Sequence, residues 1–319
     1  MYKIAILNVG GAFSAYAELN DKKIVIDLGS GNGFSPVKDF LLPLINKGKF
    51  TKSLHDIEKY HLDQLFLSHL DNDHVSDYIE FRKYFQPGFM TCPNKNPKQN
   101  DEFKINHKLV GDLEDSKQLV LDDMDTRSPS SPEHPHMSEN NPLISIVNEI
   151  DLYYIKPSDC ESDTVLKTNY ANNISLVLFI KLGSKTIFIP GDLPKEGMQY
   201  LIDKNPGLKK ELADLGVDYY VAPHHGLQTS FSEYFFQTIN GNKTRLNIIS
   251  EKTRTEDSDE NRSDVDSRYY GEEYSSGTNS LNQRGVKTSI GHIVIDLTSD
   301  DALITQYQDI KDVIKEFTV

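Results

Sequence analysis

Apolar residues recur in short runs from the start of the chain, separated by turn formers. The runs YKIAILNVG (2–10), SAYAEL (14–19) and KKIVIDLGSG (22–31) predict three strands of an antiparallel meander, the last ending in Asp27 and a glycine-rich turn. SPVKDFLLPLINKG (35–48) opens on serine and carries an apolar face, which predicts a helix. LDQLFLSHL (62–70) reads as a buried strand, and HVSDYIEFRKYF (74–85) follows with helical spacing.

From residue 92 to 142 the pattern breaks into Asn, Lys, Pro, Ser and Asp with little to bury, which predicts a polar insertion. Strand patterns return in SIVNEIDLYYIKP (145–157), NISLVLFIKLG (173–183) and KTIFIPGDL (185–193). A helix over 195–205, a strand in VDYYVAPHHG (217–226) and another in RLNIIS (245–250) come next. Residues 251–284 form a second polar segment, SIGHIVIDL (289–297) is a late strand, and TQYQDIKDVIKEF (305–317) predicts a terminal amphipathic helix. Strands fall in two groups with helices behind each. One domain over 1–319, built of two face-to-face sheets covered by helices, fits that order.

Composition adds bounds. Apolar residues are 37% of 319, enough for a substantial core, and no apolar run reaches the ~18 residues that span a bilayer. Two cysteines, Cys92 and Cys160, make neither a disulfide framework nor a CxxC site. The expectation is a soluble cytoplasmic protein without a membrane partner. The net charge of −14 argues against an anionic substrate until its distribution is considered: 111–140 contributes −6 and 251–275 contributes −5.

The candidate chemistry begins at SHLDNDH. His69, Asp71, Asp73 and His74 stand within six residues, between a predicted strand and a helix. Packed together without a shared partner, such groups would repel or desolvate one another. Imidazoles and carboxylates together suit borderline divalent cations. Two ions fit, one on His69 and Asp71 and one on Asp73 and His74; the plainer reading makes an acid here a helix cap. Asp192 ends the strand IFIPGDL, and His224 and His225 end the strand before Gly226. Each is a common feature alone; three strand ends carrying metal-type groups are not.

These motifs together resemble the metallo-β-lactamase superfamily, in its competence-protein-like (ComEC-type) branch. SHLDNDH is similar to the SHxDxDH signature, and the strand pair ending in GDL followed by APHHG is similar to the branch's later motifs. The resemblance implies an αββα sandwich with two divalent metal ions, zinc or manganese, at one edge of the sheets. It implies His69 and Asp71 on the first ion, Asp73, His74 and His225 on the second, and Asp192 bridging. His224 would face the substrate or its leaving group, and Asp73 would orient the attacking water. Ser230 would offer a phosphate-facing hydroxyl. The broader family has a histidine on the first ion where Asn172 and Asn173 stand, and a glycine where Asp77 stands.

The implied reaction is hydrolysis, with a nucleic acid or other phosphodiester as the favoured substrate. A small-molecule phosphoesterase and a binding module that has lost catalysis are the alternatives. The acidic stretches suggest a further expectation, that they restrict access to the site and are acted on by a protease or regulatory partner.

Overall fold

The computed structural model describes residues 1–92, 119–120, 145–251 and 265–318. The predicted meander forms as β1 (Tyr2–Ile6), β2 (Ala15–Leu19) and β3 (Lys22–Ile26), paired antiparallel in sequence order. β4 (Tyr60–Phe66) joins β3 in parallel, and β5 (Phe85–Thr91) joins β4 in parallel. On the other side of β1 lie β12 (His292–Asp296) and β13 (Leu303–Tyr307), which completes a seven-stranded sheet.

The second sheet has six strands. β6 (Ile150–Tyr153), β7 (Val177–Leu182) and β8 (Lys185–Ile189) run antiparallel. β9 (Tyr219–Val221), β10 (Leu246–Ile249) and β11 (Gly285–Lys287) then extend it in parallel from β8. Period-two burial makes the sandwich. Along β1, Ile4 and Ile6 join Leu178, Ile187, Ile189 and Ile248 of the facing sheet in the central core. Ala5 and Leu7 point the other way and pack with Phe40, Leu44, Phe81 and Val313 from covering helices. The second sheet's outer face, with Phe179, Phe188 and Tyr220, is covered by Met198, Leu201, Leu212 and Phe235. The four layers are helix, sheet, sheet, helix, as the αββα expectation requires.

Several elements depart from the sequence reading. The sequence reading assigns no strand over Phe85–Thr91; Pro87 is tolerated within β5 because this is an edge strand, where it faces Leu62. Residues 305–307 belong to β13, and the terminal helix is confined to Ile310–Glu316. Residues 35–48 form a π-helical turn (Pro36–Leu41) running into an α-helix (Leu42–Asn46). Within the first polar insertion only 119–120 and the ordered flank are described, so most of the acidic stretch 111–140 lies outside the described residues. The second segment is folded from Val265 onward: Tyr269 is fully buried, 4.9 Å from Phe231 between ring centroids. Among the described residues no helix is long and apolar enough to cross a membrane.

Candidate metal centre

Parallel pairing sets where the chemistry collects. β3, β4, β8, β9 and β10 each end toward the same edge, and their carboxyl ends deliver Asp27, His69, Asp192, His225 and Ser250 in turn. Backbone bonds lace the His-Asp loop to the meander: Phe13 N–H donates to Asp73 O (2.9 Å), and Leu28 N–H donates to His74 O (2.7 Å). Asp192 follows Gly191, whose φ is +59° and whose Cβ would stand 2.9 Å from Cβ of Ser68. Only glycine satisfies both the left-handed backbone and the close approach.

Asp73, His74, Asp192 and His225 each offer a donor atom within 4.8 Å of the others. Asp192 is the hub. Its Oδ1 lies 3.2 Å from His74 Nε2. Its Oδ2 lies 3.8 Å from His69 Nε2, 3.8 Å from His224 Nε2 and 3.9 Å from His225 Nε2. Asp73 Oδ2 accepts from His225 Nε2 at 3.1 Å. Asp71 Oδ2 lies 3.7 Å from His69 Nε2.

Supporting groups orient three of the rings. Asp27 Oδ2 binds His74 Nδ1 at 2.7 Å, while its two oxygens accept from Ser68 N–H (2.6 Å) and Ser68 Oγ (2.7 Å). Ser68 Oγ lies 3.1 Å from His69 Nδ1. His225 Nδ1 meets the Ser250 carbonyl at 2.9 Å. A ring nitrogen fixed from outside leaves the other aimed inward, the arrangement that prepares histidine for a metal. Ser68 is the first residue of the SHLDNDH motif, whereas Ser250 carries no sequence signal of its own; its role comes from strands that meet only in the fold.

The electrostatics are those of a tightly coupled set. Burial alone would depress His74, but the carboxylates of Asp192 and Asp27 hold its imidazole well above the ordinary range. Burial would raise Asp192, yet the charges of His74 and His225 carry it well below the usual carboxylate value. Asp73, only partly shielded from solvent, is desolvated enough to be pushed up, yet the His225 hydrogen bond and the His74 charge hold it down to about 2. His69 moves the other way, lowered by burial and by its neighbour His74.

The remaining candidates are placed differently. Ser230 is fully buried, its hydroxyl without a hydrogen-bond partner among the described residues. Asn173 donates to the Leu166 carbonyl at 2.8 Å, and its Oδ1 lies against Gly197. Asn172 is buried and its carbonyl accepts from Ser175 N–H. Asp77 accepts from Ser35 Oγ and Val37 N–H, both at 2.8 Å, and so ties the metal-loop helix to the start of the 36–46 helix. His292 accepts from Asn8 N–H through Nδ1 at 3.0 Å.

Whether these residues fit a metal is answered by two atoms. His69 Nε2 is buried without a hydrogen-bond partner among the described residues, and His74 Nε2 has only the Asp192 carboxylate, 3.2 Å away. A buried nitrogen left unmet costs roughly 1–3 kcal/mol, and a cation shared by the two rings supplies what His69 lacks. The nitrogen and oxygen donor set suits a divalent metal ion.

The model of the family described as the metallo-beta-lactamase superfamily matches residues 7–224. The chain is 26% identical over 180 residues to ComE operon protein 3 of Bacillus subtilis (strain 168), covering 56% of this chain and 19% of that protein. Solved structures similar to it include the metallo-beta-lactamase fold protein YhfI from Bacillus subtilis, at 12% identity, 69% and 70% coverage and a TM-score of 0.32. A diphosphatase from the PhnP family is similar at 11% identity, with 78% of this chain and 85% of that chain covered and a TM-score of 0.36.

Proposed function

The chain belongs to the metallo-beta-lactamase superfamily, whose members are mostly metal-dependent hydrolases, and from that premise we propose that it is a metal-dependent nuclease or phosphodiesterase. The observation that carries the reading is the convergence of Asp73, His74, Asp192 and His225 within 4.8 Å, from the ends of strands in two sheets. The likeness of SHLDNDH and APHHG to the competence-type motifs directs the choice of substrate class.

Two divalent ions, when bound, supply Lewis-acid stabilisation of developing charge and make water acidic enough to attack at neutral pH. His69 and Asp71 would hold one, Asp73, His74 and His225 the other, with Asp192 shared. The chain's own contribution is positioning. Asp27 and Ser250 fix two imidazoles before any substrate arrives. Asp73 has the solvent-reaching carboxylate of the hub pair, 37% exposed against 5% for Asp192. On this reading it would orient the attacking water and receive its proton, with His225 Nε2 beside it on the same ion.

A small phosphoester is the second reading: the acidic stretches 111–140 and 251–275, which carry −11 of the net −14, oppose a long polyanion more than a compact ester. One assay separates them. The full chain, supplied with Mn²⁺ or Zn²⁺, is tested on single-stranded DNA, double-stranded DNA, RNA and bis(p-nitrophenyl) phosphate. Cleavage of polymer that disappears in Asp73→Ala and His74→Ala is the expected result. Turnover of the small ester alone selects the second reading, and no metal-stimulated turnover on any of them ends both.

A further inference from the structure

We propose that His224 is a metal ligand, the fourth donor of a first, weaker ion site made with His69, Asp71 and Asp192, and not a group turned toward substrate. The inference rests on the reading of the cluster as a metal centre and goes on to assign its unfilled side. The second site has its donors complete in Asp73, His74, Asp192 and His225. The first has His69 and Asp71, 3.7 Å apart, and a share of Asp192. Asn172 and Asn173 stand where the broader family has a histidine, and the Asn173 side-chain N–H donates to the Leu166 carbonyl while its Oδ1 lies against Gly197.

His224 stands in the place left open. Its Nε2 is 3.8 Å from Asp192 Oδ2, the same separation that His69 Nε2 keeps from the same oxygen. Donors at ~2.1 Å around one tetrahedral ion are about 3.4 Å apart, so three separations, His69 to Asp71 and Asp192 to each of His69 and His224, are a few tenths of an ångström from that pattern. The backbone is bent to put the ring there. His224, His225 and Gly226 have φ of +48°, +56° and +78°, and left-handed backbone costs a non-glycine residue roughly 1–2 kcal/mol. His224 N–H donates to Gly191 O at 3.2 Å, which ties this turn to the strand end that carries Asp192.

Support distinguishes the two sites. Nδ1 of His69, His74 and His225 each has a partner in Ser68, Asp27 and Ser250. Nδ1 of His224 is buried with none among the described residues. A ring without that outside hold is less well oriented for an ion, so the site it completes fills second and binds more weakly.

The test is calorimetric titration of the chelator-stripped full chain with Mn²⁺, and with Co²⁺ as a spectroscopic check. Wild type is expected to bind in two steps. His224→Asn retains a residue that accepts left-handed backbone but lacks the imidazole. It is expected to weaken the second step by about 30-fold or more, since even a supporting residue is worth 10–100-fold, and to leave the first step within threefold. His224→Ala serves as a second variant, and an unchanged first step shows that either variant is folded. Two steps of wild-type affinity in both variants, with turnover lost, would place His224 at the substrate and overturn the assignment while the metal centre stands. Wild type binding less than one ion overturns the assignment together with the metal centre.

Discussion

Asp27 and His74, 47 positions apart, share a 2.7 Å hydrogen bond between a carboxylate and an imidazole that are both closed to solvent. The aspartate holds a left-handed backbone, φ +58°, and also accepts from Ser68 N–H and Ser68 Oγ. One strand end thereby orients the signature loop of the next.

Asp27→Asn tolerates the left-handed backbone but replaces one accepting oxygen with a donor facing donors. The expected result is a loss of about 2 kcal/mol in stability and a 10–100-fold fall in ion affinity. Thermal unfolding and ion titration measure the two effects. Undiminished affinity would show that the ring needs no such hold.

Gly29 sits where the meander turn meets the metal loop. A Cβ there would stand 1.9 Å from Asp73 O and 2.7 Å from Phe13 O, both backbone atoms. Gly29→Ala is expected to cost about 3 kcal/mol, the upper end for overpacking. Gly207→Ala meets nothing within 4 Å and lies in the helix Pro206–Leu215, so it should be neutral or stabilising by up to about 1 kcal/mol. Denaturant midpoints of the two variants decide; equal shifts would count against the packing argument.

Asp77 is pushed up to about 6 by burial, only partly offset by hydrogen bonds from Val37 and Ser35. The native state therefore holds this proton more tightly than the unfolded chain, whose aspartate titrates near 3.8. The contribution of Asp77 to stability falls as pH rises from about 4 to 6. Asp77→Asn removes that fall, so its stability relative to wild type should improve across the window. Urea unfolding at stepped pH reads the difference, and a constant offset would refute it.

His292 works with the opposite sign. Burial lowers it to about 4 from 6.5, so the unfolded chain takes up the proton first. Stability from the neutral ring is present above about 6.5 and is lost as pH falls toward 4. Protonation also removes the acceptor for Asn8 N–H. His292→Leu should show a shallower acid loss than wild type in thermal scans at stepped pH, with a pH-independent cost from the unpaired Asn8 amide. An equally steep loss in the variant would assign that acid sensitivity elsewhere.

The sandwich was legible because its strands alternate strictly: Ile4 and Ile6 face one way, Ala5 and Leu7 the other. The metal cluster was legible because four donors lie within six residues, where spacing alone speaks. What escaped depends on contacts distant in sequence. Pro87 disguised β5, since its tolerance depends on the strand lying at an edge. The polar surroundings of Tyr269 hid a fully buried ring that packs on Phe231. Ser250 earns its place only because β10 ends beside β9, a fact of pairing.

The split origin of the donors has a mechanical consequence. His69, Asp71, Asp73 and His74 hang from one sheet, Asp192 and His225 from the other. An ion gripped by both is a removable rivet through the sandwich. Loaded protein should resist heat in proportion to the free ion concentration. A sliding of one layer against the other, too small to melt either, would part the two halves of the donor set while leaving the secondary structure intact.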